Sequence, residues 1–193
     1  MTMQSTSMGF VEAVNTCFSK AFTFTGRARR AEYWYWYLFS VIVSICFSVL
    51  LEVVPEDNWV LMLPIALVNL GWAIFYSIAT FAVSVRRLHD IGRNGWWYGA
   101  QVIYGCLWAL IMVLGVFMAL WITPYDGTES MLSPLVPWLV VALIAYIPLL
   151  VYSIVLLVWF CKDSMPGPNK YGENPKGVEL VQMCTLGLEK EEN

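Results

Sequence analysis

The stretch LVPWLVVALIAYIPLLVYSIVLLVWFC, residues 135–161, decides the fold, because it holds no charged side chain and is long enough to cross a bilayer. A hydrocarbon core about 30 Å thick needs roughly 20 helical residues at about 1.5 Å each. Three further apolar stretches, at about 33–54, 59–85 and 96–122, precede it. Inside a bilayer the backbone finds no water, so each stretch satisfies its N–H and C=O groups as a helix, and the alternation of a lipid-facing barrel is absent. The expectation is an all-α integral membrane protein with four transmembrane helices.

Composition points the same way. Of 193 residues, 59% are hydrophobic and 13% charged, against about a quarter charged in soluble domains. Mean hydropathy is +0.64. The charges gather in short islands between the apolar runs, which excludes an ordinary water-soluble fold. Residues 1–25 form an N-terminal segment, 26–177 the four-helix transmembrane domain and 178–193 a flexible cytoplasmic tail. In the first of these, Phe10, Val14, Phe18, Ala21 and Phe22 recur at helical steps, the pattern of a short amphipathic helix lying in the membrane interface. Met1 to Gly9 lacks the basic region of a cleavable signal.

Orientation follows from the basic residues. Lys20, Arg27, Arg29 and Arg30 precede the first span, Arg86, Arg87 and Arg93 lie between the second and third, and Lys162, Lys170, Lys176 and Lys190 follow the fourth. These are all 11 lysines and arginines of the chain. The other two loops carry Glu56, Asp57, Asp126 and Glu129 and no positive charge, so both termini are expected in the cytoplasm. Aromatic belts mark the same two levels: Tyr33 to Tyr37, Trp96 to Tyr98, Trp159 and Phe160 on one side, and Trp59, Trp121, Tyr125 and Trp138 on the other. All are read as interfacial anchors. Small residues spaced by four (Ser40, Ser44 and Ser48; Ala73 and Ser77; Gly105 and Ala109; Gly115 and Ala119) allow helices to approach closely. Pro148 is expected to kink the fourth helix.

Several chemistries are disfavoured. Cys17, Cys46, Cys106, Cys161 and Cys184 have neither disulfide nor metal-ligand spacing, and His89 is the single histidine, so no metal site, catalytic residue or cofactor is assigned. Glu52 is the one ionisable residue within the spans, with Asn69 and Gln101 the main polar groups deeper in, which argues against a proton-coupled transporter.

Three islands on the basic side are distinctive: Gly26 to Trp34 (GRARRAEYW), Arg86 to Trp97 (RRLHDIGRNGWW) and Gly167 to Pro175 (GPNKYGENP). Between four apolar spans, this combination resembles the bacterial inner-membrane family known as domain of unknown function 805. The likeness runs from about Phe22 to Gly177, with Asn94 where the family commonly has Ser. The resemblance implies a multi-pass protein of the inner (plasma) membrane and supplies no established activity, substrate or catalytic residue.

Read physically, Arg86, His89, Asp90 and Arg93 share a face if the second helix continues past the bilayer, so Asp90 could pair with Arg86 or Arg93. Arg27, Arg29, Arg30, Arg86, Arg87, Arg93 and Lys170 are candidates to bind anionic headgroups, each gaining about 1 kcal/mol near an anionic leaflet. Glu32, His89, Asp90 and Tyr171 are candidates for structural or switch roles, and Lys170 and Tyr171 are expected to fold back onto the other two islands. Replacing Arg86 and Arg87 by Gln is expected to spare the fold. The resulting expectation is a non-enzymatic membrane protein whose basic face binds anionic lipids or a partner, either a second copy or another membrane protein, and no nucleic acid. The alternatives are a small transporter or oligomeric channel, and a membrane enzyme acting on a phosphorylated lipid.

Overall fold

The computed structural model describes residues 8–55, 58–122 and 135–175. Glu56, Asp57, Tyr125, Asp126 and Glu129, together with Lys176 and the tail 178–193, lie outside the described residues. Five helices follow in order: α1 (Phe10–Ser19), α2 (Arg30–Val53), α3 (Trp59–Asp90), α4 (Trp96–Ile122) and α5 (Leu135–Cys161). No strand occurs among the described residues. Helices α2 to α5 are each long and apolar enough to cross a membrane.

The chain divides into two compact units, Met1–Gly95 with Phe160–Asn193, and Trp96–Trp159. In the first, α1 turns Ala13, Val14 and Cys17 inward, and its Phe18 ring stacks on Phe75 at 5.5 Å and meets Trp36 edge-on at 5.4 Å. The helix stops at Ser19, so Ala21 and Phe22 lie beyond it, with Ala21 buried and Phe22 exposed. Among the belt aromatics expected to anchor at the interface, Trp36 behaves differently. It is 1% exposed, donates from Nε1 to Thr80 Oγ1 at 3.0 Å and stacks on Tyr76. Five consecutive aromatics on a helix turn through more than a full circle, so at least one must face the core.

Two helices extend past their apolar stretches. α2 begins three residues before Tyr33, and α3 continues five residues beyond Val85, through Arg86, Arg87, Leu88, His89 and Asp90. Gly92, at φ +75°, ends α3 in a Schellman turn: its N–H donates to His89 O (3.0 Å) and that of Arg93 to Leu88 O (2.8 Å). An L side chain is strained in that left-handed conformation, which explains the glycine.

In the second unit, polar tips of α4 reach acceptors on α5. Gln101 Nε2 donates to Ser153 Oγ (2.6 Å), Tyr104 OH to Ala145 O (2.9 Å) and Trp108 Nε1 to Ala142 O (3.2 Å). Gly115 leaves room for the Trp138 indole, which a Cβ at that position would overlap. Trp138, expected as an interfacial anchor, therefore also packs between helices. Pro148 lies inside α5, which continues through it, and α3 likewise contains Pro64 near its start.

Candidate functional site: a buried arginine cluster

The three islands meet at the end of α3. Arg27 is brought there by the segment before α2, whose Ala28 N–H donates to Arg86 O at 3.1 Å. The Arg27 guanidinium has five N–H groups. They face Asp90 Oδ1 (2.9 Å from Nε), Asp90 O, Met165 O, Gly167 O and Gly172 O. Arg87 donates from Nη1 to Asp90 Oδ2, and its Nε and Nη2 donate to the carbonyls of Phe160 and Lys162 at and just past the end of α5. One carboxylate thus joins two arginines, and Arg87 caps a helix terminus whose carbonyls carry partial negative charge. Arg86 reaches Glu32 Oε1 with Nη1. Glu32 sits in the first turn of α2, where an acidic side chain also favours the helix dipole.

This geometry differs from the pairing expected of a single helix. Asp90 takes Arg87 and Arg27 rather than Arg86, which turns to α2 instead. Local spacing names only the neighbours on one helix, whereas the side chains here are surrounded on several sides. Arg86, Arg87 and Asp90 are each no more than 1% exposed. Such buried ions need their partners, because losing one leaves an uncompensated charge in a low dielectric. The expectation that Arg86 and Arg87 could be neutralised without harm to the fold therefore does not fit their burial.

The third island folds back, as its shared sidedness suggested. Tyr171 lies flat on the His89 ring, with centroids 3.7 Å apart and planes 7° from parallel. Asn169 Nδ2 donates to His89 O at 2.9 Å, and Met165 N–H to Asp90 O at 3.1 Å. His89 Nδ1 lies 3.2 Å from Gly26 O, so this nitrogen is the one that carries a proton. His89 stands beyond the apolar part of α3. Burial lowers its pKa, opposed by the Gly26 carbonyl and reinforced by nearby Lys170.

The remaining basic candidates lie at the edge. Arg30 pairs with Asp163 at 3.2 Å, their side chains 43% and 65% exposed, and also donates to Cys161 O. Arg29 is half-buried and donates to Pro175 O, while Arg93 and Lys170 are exposed. Lys170 Nζ stands 4.8 Å from the centre of the Tyr171 ring.

One member was not foreseen. Cys17 is buried against Glu32, its Sγ 3.8 Å from both the Glu32 backbone oxygen and Oε1. Burial, with the charge of Glu32 adding to it, pushes the thiol pKa up to about 12, which makes Cys17 an inert packing group at neutral pH. Its place on the inward face of α1, one residue before Phe18, was the available signal. Among the described residues no three His, Cys, Asp or Glu side chains gather as a metal site.

Comparison with known proteins agrees with this architecture. Inner membrane protein YhaI of Escherichia coli (strain K12) is 30% identical over 153 residues, covering 79% of this chain and 86% of YhaI. Inner membrane protein YhaH of the same organism is 24% identical over 153 residues, covering 79% and 87%. No solved structure matches the chain. The family described as Protein of unknown function (DUF805) matches residues 21–173, from the end of α1 to the last island, and the chain belongs to that family.

Proposed function

We propose that this is a non-enzymatic protein of the bacterial inner membrane, with both termini in the cytoplasm, that meets anionic lipid headgroups through an exposed basic rim of Arg30, Arg93 and Lys170. The observation that carries this reading is the division of the basic residues. Arg27, Arg86 and Arg87 are engaged inside the protein, whereas Arg30, Arg93 and Lys170 stand around them with substantial exposure. The inner cations then serve to hold the three islands together, and the rim faces the leaflet edge. Relatives named as inner membrane proteins support the location, and the one-sided placement of every Lys and Arg supports the orientation. α1, beside the first turns of α2, then lies near the headgroup level.

Each rim cation should contribute about 1 kcal/mol toward an anionic surface. The full-length protein carrying Arg93→Gln and Lys170→Gln should retain roughly fivefold or more less phosphatidylglycerol in native mass spectra, with its thermal stability nearly unchanged. Equal retention by both proteins would overturn the rim. A reporter fused after Asn193 that is active only in the periplasm would overturn the orientation and, with it, the cytoplasmic face. If the rim instead docks a second copy, the same substitutions will change the subunit count and leave lipid retention alone.

A further inference from the structure

Arg86 is 1% exposed and uses Nη1 alone, on Glu32 Oε1. Its Nε and Nη2 meet no acceptor among the described residues. These two N–H groups form one edge of the planar guanidinium, the edge that receives two oxygens of a carboxylate or phosphate side by side. A buried donor without an acceptor is costly, and more so when charged, so two on one cation point to an acceptor supplied from elsewhere.

Charge gives an independent indication. The buried ions among the described residues are Arg27, Arg86 and Arg87 against Glu32 and Asp90, which leaves one positive charge in excess. Arg27 and Arg87 spread theirs over backbone carbonyls, whereas among the described residues Arg86 has the Glu32 carboxylate and the neighbouring neutral Cys17 thiol.

We propose that the Nε–Nη2 edge of Arg86 binds a monoanionic group with two oxygens, a small carboxylate or a phosphodiester, in the interior where α1, the start of α2 and the end of α3 meet. Glu32 holds the Nη1 corner, so the two anionic groups flank one guanidinium, and occupancy brings the buried set to neutrality. The site also accounts for arginine at this position. A lysine could meet Glu32 as a point charge, but it has no planar edge to offer a second anion. A free carboxylate and a lipid phosphodiester share this chemistry.

The test uses the full-length protein in a neutral detergent and follows thermal unfolding. One arm adds sodium formate against sodium chloride at equal ionic strength, and the other adds phosphatidylglycerol after delipidation. At least one should raise the wild-type midpoint by about 2–4 °C near saturation. Arg86→Lys keeps the charge opposite Glu32 and deletes the edge, so the increment should vanish. Glu32→Gln keeps the edge and enlarges the positive excess, so the increment should grow. A response to formate identifies a free anion, and a response to phosphatidylglycerol alone identifies a headgroup. No increment in either arm, or a full increment in Arg86→Lys, would overturn the site. Should Arg86→Lys fail to fold, an increment in Glu32→Gln no larger than wild type overturns it instead. Both arms are repeated on Arg93→Gln with Lys170→Gln, where the rim's own share of the phosphatidylglycerol response is gone and the Arg86-dependent increment must remain, which separates this site from the rim.

Discussion

Around Asp90, two buried guanidiniums share one carboxylate and fill their remaining valences with carbonyls from the end of α5 and the segment after it. Between α4 and α5 no ion takes part, and the helices are joined by single neutral hydrogen bonds from Gln101, Tyr104 and Trp108. The ionic arrangement depends on every partner being present, because each buried charge relies on another. The neutral arrangement is divisible, since each bond adds a small amount and its loss strands at most one polar group. Membrane helices ordinarily use the second method, where interhelical hydrogen bonds average about 0.6 kcal/mol. The first is used where three segments distant in sequence must be fastened at one place.

The contrast predicts a graded series. Asp90→Asn removes the countercharge of both Arg27 and Arg87 and should destabilise the first unit by about 3–5 kcal/mol, seen as loss of monodisperse protein in detergent. A variant that stayed fully folded would show that the carbonyls alone suffice for two guanidiniums. Gly115→Leu drives a side chain into the Trp138 indole and should cost about 1–3 kcal/mol, read as a lower unfolding midpoint. Trp108→Phe keeps an aromatic ring while deleting the bond to Ala142 O and part of the indole's bulk, so about 1–2 kcal/mol is expected from the same measurement. If Trp108→Phe proved as damaging as Asp90→Asn, the two regions would not differ in kind.

The smallest expected effect is a pH dependence at His89. Its pKa is lowered in the folded state, so its contribution is complete above the unfolded value of about 6.5 and is lost as pH falls through the folded value. Acidification should therefore weaken the stack on Tyr171 and the return of the third island, with Lys170 adding repulsion. Tyr171 fluorescence is masked by the ten tryptophans, so proteolysis between Met165 and Pro175 as a function of pH is the better measurement. His89→Phe retains the stack and should remove the dependence.

Much of this architecture was legible beforehand. The limits of α4 and α5 coincide with their apolar stretches, because lipid sets helix length through a simple solvent criterion. Where the chain leaves the apolar region that criterion loses force. The extra turns of α2 and α3 and the stop of α1 at Ser19 depend on packing and on the Gly92 turn. The gathering of Arg27, Arg86, Arg87, His89, Asp90 and Tyr171 was suggested by shared sidedness. Their division into buried and exposed members was not, since an arginine that snorkels and one that is caged look alike in a sequence.

Sequence alone determined the helical class, the number of apolar spans and the confinement of all positive charge to the segments before the first, between the second and third, and after the fourth span, since solvent transfer and bilayer thickness act on each segment separately. Only the tertiary structure decided which carboxylate meets which arginine, why Trp36 turns inward and which edge of Arg86 meets no acceptor among the described residues. Those outcomes depend on neighbours dozens of residues apart, brought together by packing that no local period encodes.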